Sequence, residues 1–143
     1  MNLNNIFNAF NDDVNAPLNE KAALLQFQES QAFKLGMFKK IIWNQKNMEK
    51  KLEQFKEFMP DIAKMIDVDP NASELITHTR AWTYLKEFDP TSEQGIEASH
   101  IFSDEYTVTA CNLAISFWEE REEYERCAHI KKTKDLLQKN LPM

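Results

Sequence analysis

From Leu24 to Met59 the chain holds one unbroken 3-4 spacing: Leu24, Phe27, Gln31, Lys34, Phe38, Ile41, Gln45, Met48, Leu52, Phe55 and Met59, eight of them apolar. Apolar residues recurring every 3.5 positions make a stripe that a helix can present to one neighbour. Five heptads of it predict a long helix with a coiled-coil-like seam. Between Pro17 and Phe58 the only helix breaker is Gly36, and Pro17 suits a first helical turn. One helix is therefore expected over 17–66, interrupted at Pro60 and carried on by Ile62 and Ile66. A second row, Leu25, Ala32, Leu35 and Ile42, widens the stripe in the first half only. That half should be buried on more sides than the second.

Two glycines in 143 residues are too few for the turns of an all-β sandwich or barrel. Gly36 and Gly95 are also too far apart to build a phosphate loop or a dinucleotide fingerprint. Asp67 to Ser73 reads as a turn, and Asn71 with Glu74 as the cap of a helix whose inner face is Leu75, His78, Trp82 and Leu85. A second turn, Asp89 to Gly95, leads to a short helix near 96–102. Ser103 or Asp104 should then cap a last long helix to Asn140, with Ala110, Leu113, Phe117, Tyr124 and Cys127 on one stripe, continued by Leu137 and Leu141. At 1.5 Å per residue the two long segments span roughly 63 and 54 Å. The expected fold is a single all-α domain over 1–143: a 1–16 docking segment, a long helix 17–66, short helices over 72–102 and a long helix 104–140. The two long helices form an antiparallel, coiled-coil-like hairpin, with two or three shorter helices packed at its ends.

The docking segment is asparagine-rich, yet Leu3, Ile6, Phe7 and Phe10 fall on one helical face. That face suits either the chain's own core or a partner's groove. Cys111 and Cys127, 16 apart in one helix, would lie about 24 Å apart, beyond disulfide reach. Free thiols point to a reducing, cytoplasmic setting, of a cell or of a virus particle. The first residues have no basic or long apolar stretch of a secretory signal, and no apolar run spans a bilayer, so no membrane partner is expected.

Chemical signatures are thin. Asp67, Asp69 and Asn71 open like a calcium loop, but Ala72 and His78 stand where that loop needs glycine and a bidentate glutamate. Glu74/His78, Glu97/His100 and Glu125/His129 each place a carboxylate within a turn of a histidine. Only Glu97/His100 has the spacing of a di-iron bundle, so no metal or cofactor is expected, and His78 reads as a hydrogen-bonded core residue. Glu119 to Arg126 reads as an exposed helical stretch with a Glu122/Arg126 pair.

Charge is the more informative feature. The chain carries −6 overall, which disfavours wholesale coating of nucleic acid. Residues 34–64 nevertheless carry a surplus of lysine, and 87–120 carry acids with no lysine or arginine. Such a pair can dock within one chain or between protomers. Lys39, Trp43, Lys46 and Lys50 also align at helical spacing, and lysine beside an aromatic can follow phosphates and stack a base. The leading expectation is a non-enzymatic assembly protein, a structural or adaptor component, whose partner is itself or another protein. Its contacts would be Trp43 and the segment of Leu3, Ile6, Phe7 and Phe10. The alternative is a nucleic-acid accessory protein using Lys39, Trp43, Lys46 and Lys50.

Overall fold

In the computed structural model, residues 18–64 and 70–141 are described, and their regular structure is helical throughout. The helices are α1 (Leu18–Gln28), α2 (Gln31–Phe58), α3 (Pro60–Ala63), α4 (Pro70–Leu85), α5 (Glu93–Ile101), α6 (Glu105–Glu120) and α7 (Tyr124–Lys139). The docking segment with Leu3, Ile6, Phe7 and Phe10 lies outside the described residues.

Each long segment expected from the sequence is divided. Between α1 and α2 the break is at Ser30, which is extended (φ −69°, ψ 153°) and accepts the Phe33 N–H on its Oγ at 3.2 Å. The same hydroxyl donates to the Phe27 carbonyl at 2.6 Å, so one side chain ends one helix and starts the next. Gln31 sits on the expected seam but reaches away to α4's end, donating to the Glu87 carbonyl and accepting the Asp89 N–H. What remains of the long helix is α2, about 42 Å over 28 residues.

The C-terminal segment breaks at Arg121–Glu123. Glu122 adopts φ 60°, the Glu123 N–H bonds back to the Trp118 carbonyl, and the Glu122 N–H bonds to that of Glu119, both at 3.0 Å. Those two bonds define a Schellman turn, here with glutamate where glycine is usual. The chain reverses, and α6 and α7 pack as a hairpin. Arg126 consequently reaches Glu123 instead of Glu122 and stacks over Trp118 with its guanidinium carbon 4.3 Å from the ring centroid. Tyr124, expected inside, is 62% exposed. Cys111 and Cys127 are both free but lie on different helices, α6 and α7, and not about 24 Å apart along one straight helix; Cys127 Sγ faces the Ile115 carbonyl at 3.5 Å.

The other boundaries follow local chemistry. α4 starts one residue before Asn71, with Pro70 first, so Asn71 is within the helix. Leu75, placed on the inner face, is 45% exposed; His78, Ala81 and Leu85 take that role. Ser92 caps α5 and Asp104 caps α6, accepting the Thr107 N–H at 2.8 Å.

α2 is the central helix, packed against α4, α5 and α6, with α1 against its start. The core joins Leu35, Phe38 and Ile42 of α2 to Leu85, Phe88, Ala98, Ala110, Ala114, Phe117, Ile130 and Leu137. Burial in α2 is confined to Leu35–Ile42, in line with the wider stripe of its first half. Gly95 allows the tightest approach: a Cβ there would lie 1.8 Å from the Asp89 carbonyl oxygen.

Candidate functional site

Ser73 and Thr77 of α4 both donate to Gln45 Oε1, at 3.3 and 2.8 Å. The polar seam position Gln45 is therefore where α4 meets α2. Beyond it α2 runs three more turns, from Lys46 to Phe58, with no fully buried residue. Along this distal part Leu52 and Phe55 are half-buried, whereas Met48 is 57% and Phe58 84% exposed, and Met59 is exposed as well.

The base of the distal part borders a cavity of about 190 Å³ lined by Gln45, Lys46, Glu49, Glu74, His78, Phe117 and Glu120 among others. Three carboxylates and one lysine give this rim a negative balance. His78 stacks on Phe117, with ring centroids 4.1 Å apart and 14° between planes, and Arg121 lies over Phe117 as well, 3.7 Å from the ring centroid. Burial and then the Arg121 charge push His78 down from 6.5 to about 4, so it is neutral at pH 7. It is a core histidine, as its position suggests. Its Nδ1, however, has no hydrogen-bond partner among the described residues.

The lysine and tryptophan face is divided by its surroundings. Lys39 Nζ pairs with Asp104 at 3.0 Å and lies 5.9 and 6.0 Å from the Phe102 and Tyr106 ring centroids. Burial opposes ionisation of Asp104, but the Thr107 N–H and the Lys39 ammonium outweigh it and hold the carboxyl below its usual range. Trp43 is half-buried; its Nε1–H donates to the Tyr106 carbonyl at 2.8 Å and its ring meets Tyr106 edge-on. A groove of about 460 Å³ runs beside them, lined by Gly36, Lys39, Lys40, Trp43, Asn44, Asn47 and Tyr106. Lys46 instead faces the acidic rim, and Lys50 is exposed further along. Lys39 and Trp43 thus share one groove, while Lys46 borders the other cavity.

Part of the charge asymmetry is used within the chain, since Lys34 pairs with Glu87 as Lys39 does with Asp104. Sequence periodicity on one helix could not show Tyr106 or Asp104, which α6 and its cap bring to Trp43 and Lys39. Of the other histidines, His100 is exposed and His129 Nε2 sits 2.7 Å from the Leu85 carbonyl. Among the described residues no group of three His, Cys, Asp or Glu is placed to hold a metal ion, and no helix is long and apolar enough to cross a membrane. No protein-family model, curated protein or solved structure matches the chain.

Proposed function

We propose that this chain is a non-enzymatic assembly protein, an oligomeric structural or adaptor component of the cytoplasm or of a virus particle. One observation carries the reading: the apolar seam continues past the core along α2 and leaves Met48 and Met59 at its two ends, and Phe58 beside it, exposed. Apolar side chains held together in water favour association, because each gains by leaving solvent. On this reading the distal half of the coiled-coil-like seam is completed by another chain, not by a second long helix of the same one.

The nucleic-acid alternative is weaker on geometry. Lys39 is already neutralised by Asp104, Trp43 spends its N–H and one ring edge on Tyr106, and Lys46 stands among glutamates. Light scattering at increasing protein concentration, in low and high salt, tests the proposal. Apolar association predicts a mass that rises with concentration and persists in high salt. A monomer throughout, with oligonucleotide binding that falls steeply as salt rises, would transfer the function to the lysine face.

A further inference from the structure

We infer that the distal part of α2 docks on a second copy of this chain, antiparallel and on the same face, an inference that rests on the association reading above. The heptad register carries it. Met48, Leu52, Phe55 and Met59 occupy the seam, Glu49 and Lys56 flank it on one side, and Lys51 and Phe58 flank it on the other. When two copies are paired about a twofold axis level with Glu53 and Gln54, Met48 of one faces Met59 of the other, and Leu52 faces Phe55. Each contact occurs twice, so one surface is complementary to itself, as a twofold interface requires.

The flanking charges select the antiparallel direction. In that register Glu49 of each copy faces Lys56 of the other. In a parallel pair Lys51 would face Lys56 and repel it. Glu49 also shares the rim of the 190 Å³ cavity with Glu74 and Glu120, so an incoming lysine meets three carboxylates, against which stand Lys46 and the Arg121 guanidinium over Phe117. Lys56 is exposed and makes no ion pair among the described residues. On the opposite flank, Phe58 lies along the Lys51 stem of the second copy, which covers apolar surface while its ammonium stays in water. That contact accounts for a phenylalanine left 84% exposed in the single chain.

Glu49→Lys and Lys56→Glu test this, separately, mixed and combined, with mass read by sedimentation and folding by circular dichroism. Each single change brings like charges together twice, so each variant alone should dimerise about tenfold more weakly. An equimolar mixture of the two should recover the dimer as a heterodimer, because both contacts are then opposite in sign. The double variant should recover it alone, which separates a lost contact from a lost fold. Tighter self-association of Lys56→Glu would show parallel pairing and overturn the inference. Dimerisation equal in wild type and all variants would move self-association to another surface, overturning the inference but not the assembly reading. A wild type that stays monomeric at submillimolar concentration would overturn both.

Discussion

Glu122→Gly should stabilise the protein, although glycine inside a helix would do the opposite. Glu122 stands at φ 60° in the turn between α6 and α7. A residue with a Cβ pays about 1–2 kcal/mol for that left-handed conformation, which glycine avoids. Glycine returns part of the gain, about 0.5–1 kcal/mol, through the larger freedom of its unfolded chain. The net expectation is about 0.5–1 kcal/mol of added stability, or a rise in melting temperature of about 1–4 °C for a chain of this size. Glu123→Gly, one residue on at φ −89°, has no left-handed strain to relieve and should lower stability by a similar amount. Thermal unfolding followed by circular dichroism distinguishes them. Were residues 105–139 one continuous helix, both variants would lose about 1 kcal/mol, and a fall in melting temperature for Glu122→Gly would refute the hairpin.

Gly95→Ala should cost about 3 kcal/mol or more, because its Cβ would be driven into the Asp89 backbone. Gly36→Ala should cost about 1 kcal/mol or less, since it meets the tip of the Phe102 ring, which can turn aside, and alanine favours the helix. His78 has a folded-state pKa near 4 against 6.5 unfolded, so the unfolded chain takes the proton first. Its contribution is complete above pH 6.5 and is lost as pH falls towards 4, by up to about 3 kcal/mol. His78→Phe keeps the stack on Phe117 and should flatten that part of the pH–stability curve; an unchanged slope would contradict the assignment. Cys111 is fully buried, and burial pushes its thiol up to about 12, so a thiol reagent should modify Cys127 first and Cys111 only on unfolding.

The helical class and several of the caps were legible in the residues because they depend on neighbours three or four positions away. Asp104 and the burial limit at Ile42 are of this kind. The breaks at Ser30 and Glu122 were not legible, for two different reasons. Ser30 carries a capping side chain, but it sits in a run whose apolar spacing continues on both sides, and periodicity outweighed one hydroxyl. Glu122 carries no signal at all: Glu119 to Arg126 is rich in helix formers, and the turn there is stabilised from outside. Its strain is offset by what the reversal brings together, the Arg126 guanidinium over Trp118 and the side chains of α7 against α6. The candidate site divides along the same line. The apolar seam of distal α2 could be read from its own heptads, since nothing else is needed to place Met48, Leu52 and Phe55 on one face. The lysine and tryptophan face could not, because its character depends on Asp104 and Tyr106, some sixty residues away in sequence. The same logic bears on self-association. A register written in one helix can specify its own antiparallel copy, since both halves of that interface lie within the same twelve residues from Met48 to Met59. A heterologous partner would have to supply the complementary half from its own sequence.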